Sequence, residues 1–180
     1  MFTSPEEVLA YIAEEDIKFV DIRFSDLAGV QQHFNVPAKS VDADFFVNGQ
    51  LFDGYSIRGF AGVSDSDMQL IPDVTTGFID PFRIEKTLAF NFSIINPRTG
   101  EPYHRDPRGV AERAEAYLES TGIADTAFFA PEAEFFIFED VRYESKPQGS
   151  FYKIDSDEAP WNTGRKEEGG NQGYNTPFKG

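Results

Sequence analysis

Two glutamates two residues apart, Glu132 and Glu134, interrupt the apolar segment Phe129-Ala-Pro-Glu-Ala-Glu-Phe-Phe-Ile-Phe138. Read as a strand, this segment puts both carboxylates on one face with Phe136 and Phe138, because strand side chains alternate. Ala133, Phe135 and Ile137 then take the other face. Like charges among aromatic rings are costly to desolvate, and a bound cation would offset that cost. Hard divalent ions such as Mg²⁺ prefer carboxylate oxygens, so the pair points to an oxygen-ligated metal site. Glutamates on a solvated or arginine-paired strand need no metal, and on this segment alone both readings stand.

A second group of chemically capable residues is Phe52-Asp53-Gly54-Tyr55-Ser56-Ile57, followed by Ser64-Asp65-Ser66-Asp67-Met68. Asp-Gly is turn chemistry. An exposed carboxylate on such a turn can also hold a cation or accept a proton, and the acids at 65 and 67 add negative potential nearby. Two other features carry less. His33 lies in an alternating segment and reads as structural. Gly169-Gly-Asn-Gln-Gly173 lacks phosphate-loop spacing and has no apolar strand before it.

The elements that must position these residues are punctuated clearly. Ser4-Pro5-Glu6-Glu7 predicts a helix start, with a serine cap, proline in the first turn and a capping-box glutamate. Residues 17–24 predict a strand, Asp26–Gly29 a turn, and 30–36 the returning strand of a hairpin. Residues 47–66 read as loop, 67–72 and 87–95 as strands. Asn96-Pro-Arg-Thr-Gly-Glu-Pro102 is the expected domain boundary. Asp106-Pro107 then opens a helix with a predicted buried stripe of Val110, Ala111, Ala114, Tyr117 and Leu118, ended by Gly122. A strand over 129–138 and another over 150–154 follow, then a polar, glycine-rich tail with Trp161 as its one large anchor. The pattern predicts an α+β fold, with residues 1–102 as one domain and 103–180 as the incomplete start of a second.

Composition limits the functional classes. Of 180 residues, 31 are acidic and 16 basic, a net charge of −15, which disfavours both nucleic acid and anionic membrane surfaces as partners. There is no cysteine and there are only two histidines, which excludes thiolate sites and disfavours zinc sites of the usual multi-histidine type. Nineteen phenylalanines supply core material. No signal-peptide pattern and no run of about 20 apolar residues is present, and a cytoplasmic protein is expected.

Taken together, Asp21-Ile-Arg-Phe-Ser-Asp-Leu-Ala-Gly29, Phe52-Asp-Gly-Tyr-Ser-Ile57, Ser66-Asp-Met-Gln-Leu-Ile-Pro-Asp73, Asp80-Pro-Phe82, Arg105-Asp-Pro-Arg108 and Pro131-Glu-Ala-Glu-Phe-Phe136 resemble, in order and spacing, bacterial type I glutamine synthetase. The resemblance covers essentially the whole chain. It implies an N-terminal β-grasp-like domain followed by the start of a catalytic domain of antiparallel sheet with helices. It implies ATP-dependent ligation of ammonia to L-glutamate through γ-glutamyl phosphate, with two Mg²⁺ or Mn²⁺ ions. By position, Glu132 resembles a ligand of the metal on the ATP phosphates, and Glu134 a ligand of the metal beside glutamate. Asp53 resembles the aspartate that binds ammonium and takes its proton, and Ser56 a hydroxyl of the same pocket. The family assembles as a dodecamer of two stacked hexameric rings with sites between subunits. Tyr55 departs from the family's usual serine. The remaining ligands are expected beyond Gly180, so the chain alone is expected to be inactive. A related γ-glutamyl-amine ligase or a non-catalytic family member is the alternative.

Overall fold

In the computed structural model the described residues are 2–63, 66–156, 159 and 161–162. The chain divides into two compact units, residues 1–127 and 128–180.

Unit 1 is built on one mixed five-stranded sheet. Helix α1 (Pro5–Glu14) starts as expected, with Ser4 Oγ accepting the Glu7 N–H at 3.3 Å. The Glu7 carboxylate reaches one residue further back than a standard capping box, accepting the Thr3 N–H at 2.7 Å. Strands β1 (Phe19–Ser25) and β2 (Gln31–Pro37) form the predicted hairpin, and Gly29 takes the left-handed conformation that its turn requires. The polypeptide then forms helix α2 (Ala43–Asn48) and a short edge strand β3 (Gln50–Asp53). Residues 47–66, expected as loop, thus contain a strand and the end of a helix. Strands β4 (Asp67–Ile79) and β5 (Thr87–Ile95) complete the sheet in the order β2-β1-β5-β4-β3. Only the central β1/β5 pair is parallel. The pairing of β4 with β5 shifts register between Asp73 and Phe78, which lengthens β4 well past the predicted residues 67–72.

The core lies on one face of this sheet. Val20, Ile22 and Phe24 of β1, Leu88, Phe90, Phe92 and Ile94 of β5, and Met68 and Leu70 of β4 meet Val8 of α1 and Phe45 and Phe46 of α2. Alternation leaves Asp21 and Arg23 of β1 on the opposite side. There Arg23 bridges Asp21 (2.6 Å) and Asp80 (2.6 Å), while His33 Nδ1 lies 2.9 Å from Asp21. His33 is therefore structural, as expected.

Helix α3 (Pro107–Ser120) closes unit 1, with Gly122 in the left-handed conformation after it. Its predicted buried stripe is not buried. Val110, Ala111, Ala114 and Tyr117 are exposed, Leu118 is half-buried, and Gly109 is the helix's buried residue. The helix is instead held at its start. Asp106 accepts both the Arg108 N–H (3.0 Å) and the Ile94 N–H of β5 (2.9 Å).

Unit 2 contains a two-stranded hairpin, β6 (Asp140–Lys146) with β7 (Gly149–Asp155). The strand expected over 129–138 does not form. Residues 126–138 carry no helix or strand and pair with nothing as a ladder among the described residues. A strand exists only through its neighbours' hydrogen bonds, so apolar composition alone cannot make one. No helix among the described residues is long and apolar enough to cross a membrane.

Candidate functional site

The Asp53 turn is the better defined of the two predicted groups. Asp53 ends β3, opposite Asp67 of β4. Two acids facing each other across a strand pair repel, which favours any cation that settles between them. Residues 54–56 form a single 3₁₀ turn capped by Asp53 itself. Its Oδ1 accepts the Tyr55 N–H at 3.0 Å and its Oδ2 accepts the Ser56 hydroxyl at 2.8 Å. Both sequence-predicted residues are thus in direct contact, and both are exposed. The carboxylate is oriented by its own turn while its remaining lone pairs face solvent. Tyr55 is exposed on the turn, so the departure from serine leaves the Asp53–Ser56 contact intact.

The turn is seated from beneath. The Gly54 N–H donates to Ser66 O at 2.7 Å, tying the two ends of the loop together. Gly54 is buried against Met68, and a Cβ there would lie 2.7 Å from the Met68 Sδ. Glycine is therefore required by space and not by backbone conformation.

Glu132 and Glu134 are exposed in the irregular segment of unit 2. Their oxygen donors suit a hard divalent ion, but two carboxylates are too few to enclose one. Among the described residues no group of three or more histidine, cysteine, aspartate or glutamate side chains is arranged to hold a metal. Around them Phe128 is 95%, Phe129 89% and Phe135 78% exposed. Phe136 and Phe138 stack with ring centroids 6.0 Å apart and planes 4° apart, so the predicted shared face of these two residues persists locally without the strand.

The other motif residues prove to be structural. Asp26 closes the β1–β2 turn, accepting the Ala28 and Val30 N–H groups and the Gln32 side chain, each at 2.9 Å. The Gln32 hydrogen bond, with the turn amides, holds its carboxyl below the usual carboxylate range. Asp80 is also held low, first by the Phe82 N–H and then by Arg23 and Arg83. Burial raises the Asp106 carboxyl against the opposing effect of the backbone N–H groups of Ile94, Arg108 and Gly109. Arg108 pairs with Asp73 and reaches Ser93 at 3.2 Å. Sequence reading missed Tyr103 and Arg105, which both donate to backbone carbonyls in the loop that follows Asp53. The Arg105-Asp-Pro-Arg108 motif was the available signal.

A mixed sheet with a parallel central pair, a helix packed on one face and an acid-bearing turn at its edge defines a β-grasp α+β protein. Two family models match: "Glutamine synthetase, beta-Grasp domain" over residues 16–97 and "Glutamine synthetase, catalytic domain" over 104–178. The chain belongs to the glutamine synthetase family and corresponds to its N-terminal portion. It is 57% identical to a glutamine synthetase of Frankia alni and 56% identical to one of Streptomyces coelicolor, in each case over all 180 of its residues. It spans 38% and 37% of the length of those relatives. Among solved structures, Plasmodium falciparum glutamine synthetase superimposes with a TM-score of 0.67 over 87% of this chain and 30% of its own, at 22% identity, a likeness of fold. A GmaS complex with ADP matches at TM-score 0.57 and 27% identity over 63% of this chain and 25% of its own.

Proposed function

We propose that this chain is the N-terminal part of a glutamate–ammonia ligase, which joins ammonia to L-glutamate through γ-glutamyl phosphate and releases ADP and phosphate. The observation that carries the reading is the Asp53 carboxylate, exposed and aimed by Ser56 and the Tyr55 N–H on a turn fixed at the sheet edge. In this role Asp53 holds ammonium and takes its proton, because nitrogen cannot attack the acyl phosphate until its lone pair is free. Ser56 keeps one carboxylate oxygen oriented while the other receives the proton.

Glu132 and Glu134 would each contribute an oxygen ligand to one of two Mg²⁺ or Mn²⁺ ions. Such ions, when bound, neutralise the ATP phosphates and the transferring phosphoryl group. The other ligands come from the rest of a longer protein. The exposed aromatic segment beside the two glutamates supports this, since it has the composition of a buried strand and no ladder among the described residues. A boundary at 102/103 between the β-grasp domain and the start of the catalytic domain is supported by the family matches, which end at 97 and resume at 104. The working form in this reading is a cytoplasmic dodecamer of two stacked hexameric rings, with each site shared between subunits, and the 180-residue chain alone is inactive.

The test is γ-glutamyl transferase activity of the full-length protein with Asp53→Ala and with Glu132→Ala. Both variants should lose most activity, and unchanged activity in both sinks the residue assignments. A profile over ammonium and larger amines separates this ligase from a γ-glutamyl-amine ligase, because only the former turns over best with ammonium.

A further inference from the structure

We infer that Tyr103 and Arg105 are positioning residues that set the Asp53 turn from the middle of its loop, an inference that rests on the ammonium role proposed for Asp53. The loop leaves the sheet at Asp53 and returns at Asp67. Its near end is fixed by the Gly54–Ser66 hydrogen bond. From the turn, two further backbone bonds lead along the loop: Ile57 N–H to Gly54 O at 3.2 Å, and Phe60 N–H to Ile57 O at 3.1 Å. The orientation of residues 54–57 is therefore coupled, bond by bond, to the position of Phe60.

Phe60 is where the loop is gripped. Its side chain is buried in the core, edge-on to Tyr103 at 5.7 Å between centroids. Its carbonyl accepts the Tyr103 hydroxyl and also Arg105 Nη1 at 2.9 Å. The same Nη1 reaches the Gly59 carbonyl at 2.7 Å. Gly59 has φ +81°, a left-handed conformation that turns the chain at the point where both carbonyls meet the guanidinium. Charge-assisted bonds of this kind are roughly twice as strong as neutral ones.

The grip is itself rigid. The Tyr103 N–H donates to Ile94 O of β5 at 2.8 Å, and the Asp106 N–H donates to Tyr103 O at 3.1 Å. Asp106 in turn holds the Ile94 N–H. The segment 103–106 is thus laced to a central strand, and through Phe60 it passes that rigidity to the loop. The Tyr103 hydroxyl and the Arg105 guanidinium bond the carbonyls of Gly59 and Phe60, so their effect on Asp53 runs through the backbone of residues 54–60.

The experiment uses the full-length enzyme and separate KM values for ammonium, glutamate and ATP. Misplacing a reacting group by about 1 Å can cost on the order of 100-fold. Arg105→Ala should raise the ammonium KM by about 10–100-fold while shifting the ATP KM less than about threefold. Arg105→Lys, which keeps one charged donor, should recover much of the loss. Tyr103→Phe keeps the ring packed on Phe60 and should give a smaller rise confined to ammonium. These two conservative variants keep the test valid should Arg105→Ala fail to fold. The decisive measurement is the Asp53→Asn background, where Arg105→Ala should add less than about twofold to the ammonium KM, because the residue it positions is already disabled. Equal rises for all three substrates, an unchanged ammonium KM, or full additivity with Asp53→Asn would overturn the inference. If Asp53→Asn alone leaves the ammonium KM unchanged, the ammonium role of Asp53 fails and this inference falls with it. If Asp53→Asn raises it and the Arg105 variants do not, only the positioning role falls.

Discussion

Replacing Gly54 by alanine asks how firmly the Asp53 turn is seated. Gly54 is not in the left-handed region, so alanine meets no backbone strain there and the cost is one of room. The new Cβ would lie 2.7 Å from Met68 Sδ, 2.9 Å from its Cε and 3.0 Å from its Cγ. Comfortable carbon contacts are about 3.5–4.0 Å, so three overlaps fall on one side chain. Two responses compete. Met68 can rotate, but it is 3% exposed and enclosed by core, and overpacking a full core costs about 1–3 kcal/mol. The 3₁₀ turn can lift instead, at the expense of the 2.7 Å Gly54–Ser66 hydrogen bond, worth about 0.5–1.5 kcal/mol net. The cheaper response wins, so the turn lifts and Asp53 moves with it. The expected loss is about 1 kcal/mol, roughly 4 °C in melting temperature for a domain of this size. In the full-length enzyme the ammonium KM should rise as well. Met68→Ala empties the contested space at its own cost of about 2–5 kcal/mol, and on that background Gly54→Ala should be nearly free. Thermal unfolding of the four proteins, followed by circular dichroism, gives the coupling energy. An equal penalty for Gly54→Ala with and without the Met68 side chain refutes the argument, and so does an unchanged melting temperature.

Three further expectations follow from the same geometry. Asp106→Asn is nearly isosteric, but it leaves one acceptor for the Ile94 and Arg108 N–H groups and turns an amide donor toward one of them, so urea unfolding should show a loss of about 1–2 kcal/mol at pH 7; a neutral or stabilising effect would mean that relief of the buried charge dominates. Asp80 has a folded pKa below its unfolded one, so its contribution is complete above the unfolded value of about 3.9 and disappears as pH falls through the lower folded value; Asp80→Asn should flatten the acid limb of the stability curve below about pH 4 and leave its slope near neutrality alone. Combined Glu132→Gln and Glu134→Gln substitutions in the full-length protein should weaken Mn²⁺ binding, read by calorimetry, by at least the 10–100-fold typical of losing an outer-shell partner, and unaltered affinity would remove both residues from the metal sites.

Legibility from sequence followed the range of the interactions involved. The start of α1, the β1–β2 hairpin and β5 are announced by neighbours in the chain: Ser4 before Pro5, Asp26 before Gly29, and a nine-residue run from Thr87 rich in Phe and Ile. Helix α2 is six residues long, too short for a period to emerge, and only its Asp42 cap marks it. Strand β3 is four residues between two glycines, and it is a strand because β4 pairs with it. The segment 129–138 failed in the opposite direction, being strand-like in composition without a ladder. The exposed stripe of α3 has the same origin, since amphipathicity records that a face is to be covered and not what covers it. At the site, the Asp53-Gly54 turn was readable because turn chemistry is local, and the Ser56 contact comes with that turn. The Tyr103–Arg105 grip was not, because it joins residues more than 40 positions apart through backbone carbonyls that no side-chain pattern encodes.

The parallel pairing of β1 with β5 also fixes an order of events at the ribosome. Val20 finds its partner in Leu88, about 70 residues later, whereas β2 follows β1 at once. At synthesis rates of about 5–20 residues per second, β1 and β2 are complete some 3–12 s before β5 exists. For that interval the hairpin presents an open edge with Val20, Ile22 and Phe24 uncovered, ready to pair with any other extended chain. The newborn β1–β2 hairpin therefore has a call on a chaperone until β5 is made, and slower translation across residues 40–90 would lengthen its exposure.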